Sequence, residues 1–437
     1  MTNGTDKLTL FPVTAEVNAD GHLIIGGCDC PALVTEFGTP LYVFDEAGLR
    51  GKCAEFKREF GQRYPDTTVV YASKAFINKA LARLMDEEGL GLDVVSGGEM
   101  GIARAAGFPM EKVYFHGNNK SAEELRQALE WGVGRIVVDN IHELDMLEEI
   151  AGERGSVADI LLRLTPGIDP HTHQYNTTGT IDSKFGFTLS TWERAVVKAL
   201  SSPHLSLLGW HFHLGSLIFE IEPYQQALEI VLDFAAGMKR KHGFELKELD
   251  IGGGFAIQYT LDSPNPPVAA YAEVIAPLLT GRCRELGLTL PRLVIEPGRS
   301  IVGRSGIALY TVGAMKDIPG VRGYLSVDGG MGDNIRPALY GARHEAVVAN
   351  KMLAETAATV TIAGKYCESG DILIRDIDLP LVSDGDVIAV ADCGAYCLPM
   401  ASNYNAAFKP AVVLVGGGKA RLIRRRETVD DIIRYDV

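Results

Sequence analysis

The stretch Val69-Val70-Tyr71-Ala72-Ser73-Lys74-Ala75 is a short apolar run that ends in one lysine. Valine and tyrosine favour an extended strand, so we expect Lys74 where the strand leaves the core, at the rim of a cavity. An ammonium beside apolar surface loses hydration, which prepares the amine to form a Schiff base with an aldehyde. The alternative is a lysine that only extends its charge from a strand end into water, and this stretch alone favours that alternative.

Seven more strand-like runs follow, and helical patterns separate them. The eight predicted strands cover residues 67–73, 91–95, 112–115, 135–138, 158–164, 205–213, 247–251 and 292–296. The predicted helices cover residues 45–60, 78–88, 122–131, 142–154, 192–200, 224–241 and 269–286. Strands that alternate with helices in this way predict a parallel (β/α)8 barrel of the TIM type. We place this barrel at residues 44–304.

The pattern changes after residue 304, where helical periodicity is largely lost. Short alternating runs separated by glycine, proline and Asp-Gly predict an all-β domain over residues 305–437, a β-barrel or a β-sandwich. Strands predicted at 8–17, 21–25 and 40–44 would complete it, so we assign residues 1–43 to the same domain. The predicted fold class is therefore α/β plus all-β.

Composition limits the possible partners. The chain has 437 residues and a net charge of -14, which argues against nucleic acid because phosphate binding needs clustered positive charge. We find neither an apolar run long enough for a membrane span nor a signal peptide, and we expect a cytoplasmic protein that contacts no membrane. Seven scattered cysteines fit reduced thiols better than a disulfide framework.

The predicted strand ends gather polar residues on one rim, where barrels of this type carry their active sites. Gly252-Gly253-Gly254 follows the seventh strand, and their amides could approach a phosphate, although three glycines alone more often mark a tight turn. Together with Ser216, Gly298 and Arg299 they are better explained as a phosphate site. A single phosphate, an aldehyde for Lys74 and an aromatic face describe pyridoxal 5'-phosphate.

Glu296 and His213 lie on the same predicted rim. Glu296 could pair with a pyridine nitrogen or with a rim arginine, and the sequence supports both equally. His213 could lie flat against the cofactor ring, although an isolated histidine is more often a core residue. The pair His211/His213 lacks a third metal ligand, as does His171/His173, so we predict no metal site.

Three loops of the all-β domain carry further candidates. A thiol such as Cys367 can donate a proton and the neighbouring Glu368 can hold an ammonium, although composition alone favours a solvated acidic loop with a buried structural thiol. Arg336 suits bidentate carboxylate binding, and Tyr340 lies four residues further on. Tyr396 adds a phenol beside flexible backbone.

Six motifs, in this order along the chain, resemble those of the alanine-racemase-like, fold type III pyridoxal-phosphate decarboxylases. They are Tyr71-Ala72-Ser73-Lys74-Ala75, His213-Leu214-Gly215-Ser216, Gly252-Gly253-Gly254-Phe255, Glu296-Pro297-Gly298-Arg299, Cys367-Glu368-Ser369-Gly370-Asp371 and Gly394-Ala395-Tyr396. Within that class, three longer segments resemble the diaminopimelate decarboxylases. These segments are residues 182–186, 327–343 and 400–405.

The resemblance implies a role in cofactor binding for each matching position. Lys74 would bind the cofactor aldehyde, His213 would stack on the ring and Glu296 would pair with the pyridine nitrogen. The remaining positions would surround the phosphate or its approach, and they are Ser216, Gly253, Gly254, Pro297, Gly298 and Arg299.

The resemblance also implies how the substrate is held. Arg299, Arg336 and Tyr340 would bind its distal carboxylate, and Glu368 its distal amine. Two residues would act near the reacting carbon: Cys367 would return a proton after carbon dioxide leaves, and Tyr396 would contact cofactor and substrate.

The expected reaction is decarboxylation of meso-2,6-diaminopimelate to L-lysine, the last step of lysine biosynthesis. The resemblance implies a homodimer in which the Cys367 loop reaches the partner's active site, with Lys184 and Asp371 as a pair across the interface. Tyr366 and Cys397 depart from the pattern of the relatives, beside the pocket. The alternatives are a decarboxylase of ornithine, lysine or carboxynorspermidine, and a non-catalytic relative that binds the cofactor.

Overall fold

A computed structural model describes residues 3–169, 179 and 182–437 of the chain. His171 and His173, which we discounted as metal ligands, lie outside the described residues. The chain divides into two compact units. The barrel unit comprises Cys53–Ala256 and Asn265–Gly298, and the β unit comprises Met1–Lys52, Ile257–Pro264 and Arg299–Val437. The predicted domain limits at residues 44 and 304 stay a prediction.

The strands of the described residues are β1 (Glu16–Val17), β2 (Leu23–Ile25), β3 (Cys28–Asp29), β4 (Leu41–Asp45), β5 (Thr67–Ala72), β6 (Gly91–Val94), β7 (Val113–Phe115), β8 (Arg135–Val138), β9 (Ala158–Thr165), β10 (Phe187–Thr188), β11 (Leu205–His211), β12 (Glu248–Asp250), β13 (Arg292–Ile295), β14 (Gly306–Ile318), β15 (Arg322–Val327), β16 (Ala346–Val348), β17 (Ala358–Ala363), β18 (Ile372–Leu379), β19 (Val387–Val390), β20 (Ala411–Gly416) and β21 (Lys419–Arg424). The α-helices are α1 (Cys30–Phe37), α2 (Glu46–Gly61), α3 (Lys79–Glu87), α4 (Gly97–Ala106), α5 (Ala122–Trp131), α6 (Ile141–Glu153), α7 (Trp192–Ser201), α8 (Glu222–His242), α9 (Val268–Leu286), α10 (Arg299–Val302), α11 (Arg336–Tyr340) and α12 (Val429–Ile433).

Eight parallel strands of the barrel unit close into a barrel. Their order is β5-β6-β7-β8-β9-β11-β12-β13, and β13 pairs with β5 again. The predicted barrel is therefore confirmed, with each of the eight predicted strands in place. The short strand β10 adds to β9 in parallel.

Apolar side chains fill the barrel below its functional rim. Val70, Tyr114, Val137, Leu161 and Val294 come from five different strands and form one buried cluster. Apart from Leu161, these residues are β-branched or aromatic, which suits strands that are buried on both faces. Polar side chains replace them where the strands end, so the packed interior supports a chemically active rim.

Helix α5 begins and ends where the sequence predicts. Ser121 and Glu124 form a capping box at its start, and Gly132 takes the left-handed conformation at its end. Helix α4 was missed, because Gly97 and Gly98 at its start are poor helix formers. Ser96 caps that helix by accepting a hydrogen bond from the Glu99 amide, and this Ser-x-x-Glu spacing is the pattern that could have revealed it.

A nine-stranded, mostly antiparallel sheet dominates the β unit. The long strand β14 pairs with β4, β15 and β19, while β20 pairs with β4 in parallel. Strand β4 is the predicted strand 40–44, and it completes this sheet together with strands from the carboxyl-terminal part. The predicted combination of a barrel with an all-β region is thus confirmed.

The prediction of a strand at residues 8–17 was wrong. Gly4–Leu10 forms a 3-10 helix that Asn3 and Asp6 cap reciprocally, and within residues 8–17 only Glu16–Val17 forms a strand. The alternating apolar residues that suggested a strand are core contacts instead, since Leu10 and Phe11 are buried in the core of the β unit. Helix α1 was also missed.

Among the described residues, no helix is long and apolar enough to cross a membrane.

Candidate active site

Lys74 follows β5 in a short 3-10 turn, and its ammonium meets a carboxylate. Its Nζ lies 2.8 Å from Oδ2 of Asp93, which ends β6 and is fully buried. The Lys74 side chain retains 35% of its exposure. The sequence predicted an amine beside apolar surface, whereas the structure supplies an ion pair that orients the amine.

Glu296 follows β13 and is almost completely buried. His116 Nε2 lies 2.7 Å from Glu296 Oε1, and His211 Nε2 lies 3.5 Å from Glu296 Oε2. Burial would raise the pKa of Glu296, but attraction to His116 and His211 outweighs burial and holds this pKa well below its usual value. Among the described residues, the ion-pair partners within 4 Å of the Glu296 carboxylate are thus two imidazoles, and no rim arginine lies that close to it.

His213 and the glycine loop are held together by a hydrogen bond. The Gly253 amide donates to Nδ1 of His213 over 3.2 Å. Burial, with repulsion from the Lys74 ammonium, lowers the pKa of His213 well below its usual value, so the imidazole is neutral at pH 7. A neutral ring that accepts from the backbone is fixed in one tautomer and orientation.

The loop Gly252-Gly253-Gly254 needs its glycines. Gly254 has a φ of +108°, and a Cβ at this position would lie 2.8 Å from the Gly215 carbonyl oxygen. The Ile218 amide donates to the Gly254 carbonyl over 2.9 Å, which brings the turn that contains Ser216 against the loop. The backbone here is approached closely from several sides, as a phosphate-binding loop requires.

Pro297 and Gly298 follow Glu296 and pack against the end of β5. The Ala72 amide donates to the Pro297 carbonyl over 3.2 Å, and a Cβ at Gly298 would lie 2.9 Å from that of Ala72. This close approach fixes the segment that carries Glu296 relative to the strand that precedes Lys74.

Two arginines of the β unit share one tyrosine. Arg299 Nη1 donates to the Tyr259 hydroxyl over 2.6 Å, and the Arg336 guanidinium lies 5.2 Å from the Tyr259 ring centroid. Both arginines are buried, and Arg299 also lies 4.6 Å from the ring of Tyr396. No carboxylate of the described residues forms a salt bridge with Arg336, while the Tyr340 ring lies 6.0 Å from its guanidinium. The arrangement is suited to binding an anionic group.

The loop that carries Cys367 and Glu368 is organised by Asp371. Asp371 accepts hydrogen bonds from the amides of Met331 and Tyr366, over 2.6 and 2.8 Å. Cys367 itself is exposed, so the alternative of a buried structural thiol was wrong. Glu368 is also exposed and accepts from the Tyr404 hydroxyl over 2.6 Å.

Known proteins resemble this chain over nearly its full length. Residues 47–303 match the family described as pyridoxal-dependent decarboxylase, pyridoxal binding domain. The diaminopimelate decarboxylase of Bacillus subtilis is 50% identical over 426 residues, which cover 97% of each chain. That of Synechocystis is 45% identical over 437 residues, which cover 98% of this chain and 92% of the relative.

The crystal structure of diaminopimelate decarboxylase from M. jannaschii has a TM-score of 0.91 and 36% sequence identity to this chain. The match covers 97% of this chain and 98% of the chain in that structure. The chain belongs to the diaminopimelate decarboxylase family. The prediction of an enzyme, a pyridoxal-dependent carboxy-lyase, is therefore confirmed. The lysine/ornithine decarboxylase from Vibrio vulnificus, at 22% identity and a TM-score of 0.76, shares the fold.

The barrel rim of this family member fits a pyridoxal cofactor. Glu296 Oε1 is buried, and although His116 Nε2 lies 2.7 Å from it, no donor of the described residues aligns with it for a hydrogen bond. A buried carboxylate with such an acceptor atom suits a pyridinium nitrogen. Lys74 supplies a primary amine on the same rim, and the loop ending at Gly254 presents backbone without side chains. Residue type and local geometry thus agree with the pyridoxal binding domain of the family.

Sequence reasoning overlooked several residues of the site. Asp93, His116 and Asp250 stand at predicted strand ends, but we assigned them no role. A carboxylate or imidazole at the end of an apolar barrel strand is the pattern that could have singled them out. Tyr259 carried no such pattern, because its position between the two arginines depends on the tertiary structure.

Four buried side chains of the rim could also hold a metal ion. One ligand atom from each of His116, His211, Asp250 and Glu296 lies within 4.8 Å of the others. The sequence spacing pairs His211 with His213, whereas the structure groups His211 with residues from other strands. The prediction that no metal is bound stays a prediction.

Proposed function

We propose that this chain decarboxylates meso-2,6-diaminopimelate to L-lysine and carbon dioxide, the last step of lysine biosynthesis. The observation that carries this proposal is the 50% identity to the diaminopimelate decarboxylase of Bacillus subtilis over 97% of each chain. A structure of the diaminopimelate decarboxylase from M. jannaschii contains L-lysine, the proposed product, and has a TM-score of 0.91 to this chain.

The proposed cofactor is pyridoxal 5'-phosphate, which when bound supplies an electron sink for the bond that carbon dioxide leaves. Lys74 holds its aldehyde, and Asp93 orients the Lys74 amine. Glu296 holds a proton on the pyridine nitrogen, since its carboxylate stays ionised. His213 covers the ring. The residues that surround the phosphate or its approach are Ser216, Gly253, Gly254, Pro297, Gly298 and Arg299.

The proposed substrate site uses the charges of the β unit. Arg299, Arg336 and Tyr340 bind the distal carboxylate, because a buried guanidinium such as Arg336 gains most from an anionic partner. Glu368 binds the distal ammonium. The remaining two residues act near the reacting carbon, where Cys367 delivers the proton that replaces carbon dioxide and Tyr396 contacts both cofactor and substrate.

We further propose a homodimer in which the Cys367 loop completes the partner's site. The exposure of Cys367 and Glu368 supports this arrangement, because both side chains are accessible to a partner chain. The proposed pair of Lys184 with Asp371 has less support, since both Asp371 oxygens already accept backbone hydrogen bonds. The barrel at 44–304, the β domain at 1–43 and 305–437, and a cytoplasmic location remain part of the proposal.

The rival function is decarboxylation of ornithine, lysine or carboxynorspermidine. A substrate without a distal carboxylate would leave the buried charge of Arg336 unpaired, which disfavours its binding. Competition between diaminopimelate and ornithine, followed as carbon dioxide release from purified protein loaded with pyridoxal phosphate, decides between them. Preference for ornithine would overturn the proposed substrate.

Arg336→Gln tests the carboxylate site. We expect kcat/KM for diaminopimelate to fall about 100-fold or more, because a charge-assisted contact is lost from a buried position. Cofactor absorbance should not change. The matched control is Arg343→Gln, since the Arg343 side chain is 69% exposed and pairs with Asp262 at the surface; its kinetics should equal those of the wild type.

Lys74→Ala tests the cofactor anchor. The variant should lose both the absorbance of the protein-bound aldehyde and carbon dioxide release, because no other residue takes the place of the Lys74 amine in the proposal. Full turnover by Lys74→Ala would contradict the proposed mechanism.

A further inference from the structure

We propose that Asp250 is a positioning residue: it carries a proton, so that the pair Asp250 and Glu296 has one negative charge, on Glu296, and it ties that carboxylate to the glycine loop. The inference rests on the proposed cofactor binding and extends it to a residue with no role in it so far. Asp250 touches neither reacting atoms nor substrate in the proposal.

The geometry connects Asp250 to both ends of the cofactor site. Asp250 ends β12, is fully buried, and accepts a hydrogen bond from the Gly252 amide over 2.8 Å. The Gly252 carbonyl in turn accepts from the Glu296 amide over 2.9 Å. The side chain of Asp250 therefore holds the first residue of the glycine loop, which itself holds the backbone of Glu296.

A carboxyl oxygen of Asp250 lies close to the Glu296 carboxylate. Ligand atoms of Asp250, Glu296, His116 and His211 all lie within 4.8 Å of one another. Oδ2 of Asp250 is buried and has no aligned hydrogen-bond partner among the described residues. Two ionised carboxylates cannot donate to each other, whereas one proton between them supplies the missing donor.

Charge decides which carboxyl group carries the proton. Two ions of like sign in one buried pocket repel strongly, so one of them is protonated. Burial and repulsion from Glu296 raise the pKa of Asp250 well above its usual value. His116 and His211 lie within 4 Å of the Glu296 carboxylate, which favours the negative charge there. Burial lowers the pKa of His211 to about 3, so His211 is a neutral partner. The negative charge is therefore on Glu296.

Other charged groups face this pocket from neighbouring strands. Arg163 of β9 interacts electrostatically with both carboxyl groups and also with Asp93 of β6, and Glu248 of β12 adds repulsion toward Asp250. Arg163 is buried and favours one anion, while Glu248 disfavours a second on Asp250. These groups therefore favour the same protonation states, with a neutral Asp250 beside an ionised Glu296.

The test compares Asp250→Asn with Asp250→Ala. Asparagine keeps the volume, the acceptor for Gly252 and a donor toward Glu296, but it cannot carry charge. The measurement is the Kd of pyridoxal phosphate for the cofactor-free full chain, followed by fluorescence between pH 6 and 9, together with the absorbance spectrum of the bound cofactor. Glu296→Gln is the comparison that removes the charge itself.

We expect Asp250→Asn to bind the cofactor within about threefold of the wild type, with the same spectrum and pH profile. Asp250→Ala should bind about tenfold or more weakly, and Glu296→Gln should bind weakly and change the spectrum. If Asp250→Ala does not fold, Asp250→Asn still decides, because it keeps the shape of the native side chain.

Three outcomes would overturn the inference. If Asp250→Asn bound pyridoxal phosphate as weakly as Asp250→Ala or Glu296→Gln, Asp250 would act as an ion. If Asp250→Ala bound it as tightly as the wild type, Asp250 would have no positioning role. A stoichiometric divalent metal in the purified protein, lost in Asp250→Asn, would assign the four side chains to metal binding. A wild-type protein that binds no pyridoxal phosphate would instead overturn the proposed function.

Discussion

At the scale of single residues, burial and local hydrogen bonds set opposite pKa shifts on two glutamates of the barrel unit. Burial, with repulsion from Asp93, raises the pKa of Glu99 to about 7, although the Val95 amide donates to Glu99 over 2.7 Å. For Glu124, burial is outweighed by hydrogen bonds from the amides of Ser121 and Gly97, and the pKa is lowered. The same residue type thus responds to pH in opposite directions.

Glu99→Gln should become more stable relative to the wild type as the pH rises from 5 to 8. The folded wild type keeps a proton on Glu99 that the unfolded chain has already lost, so its stability falls with rising pH until about pH 7. Glutamine does not titrate, and the difference in unfolding free energy should grow by on the order of 2 kcal/mol. Urea unfolding at each pH measures it.

Glu124→Gln is the matched control. Its wild-type carboxylate has a lowered pKa, so the stability it contributes is present above the unfolded pKa and is lost only in acid. The stability difference of this variant should stay constant between pH 5 and 8. A difference for Glu99→Gln that is equally flat would mean that Glu99 is ionised throughout this range.

At the scale of elements, the loops after the barrel strands carry the chemistry while the helices hold them. Tyr224 of α8 donates to the Gly253 carbonyl over 2.7 Å, and Tyr271 of α9 donates to the Ile218 carbonyl over 2.7 Å. Two buried helix side chains therefore fix the glycine loop and the turn after β11. This support explains how a glycine-rich loop keeps one conformation.

Gly254→Ala should destabilise the protein by about 2–4 kcal/mol, since it forces a side chain into a left-handed, overpacked position. The added Cβ would lie 2.7 Å from the Tyr224 hydroxyl. The control is Gly237→Ala within α8, where a Cβ would meet nothing within 4 Å. That variant should gain about 0.5–1 kcal/mol. If urea unfolding gave the same change in unfolding free energy for Gly254→Ala and Gly237→Ala, the assigned conformation of the glycine loop would be contradicted.

At the scale of the whole molecule, the proposed catalytic residues come from both units of the chain. Lys74 and Glu296 belong to the barrel unit, while Cys367 and Glu368 belong to the β unit. In the proposed homodimer, each active site takes Lys74 from one chain and Cys367 from its partner. This arrangement is testable because two inactive variants can complement each other.

Mixing Lys74→Ala with Cys367→Ala should restore activity. Random exchange of subunits makes half of the dimers mixed, and each mixed dimer has one intact site, so about a quarter of wild-type carbon dioxide release should return. Mixing Lys74→Ala with Glu296→Ala should restore none, since both residues come from the same chain. Verified subunit exchange without recovery in the first mixture would contradict the shared site.

The barrel and much of the candidate site could be predicted because their determinants are local. Apolar β-branched runs such as that ending at Lys74 locate the strands, and turn residues such as Gly254 mark the rim. The 3-10 helix at Gly4–Leu10 was not predictable from alternation, since capping at Asn3 overrode the period-two pattern. Local patterns fail where capping or burial outweighs periodicity.

The sequence by itself determined the order of strands and helices and the residue types at each strand end. The tertiary structure decided which of these groups face one another: Asp93 beside Lys74, imidazoles beside Glu296, and Tyr259 between two arginines. The physical reason is that these partners come from different strands or loops. Their distances depend on barrel closure and strand register, and it is these distances, with burial, that determine charge and reactivity.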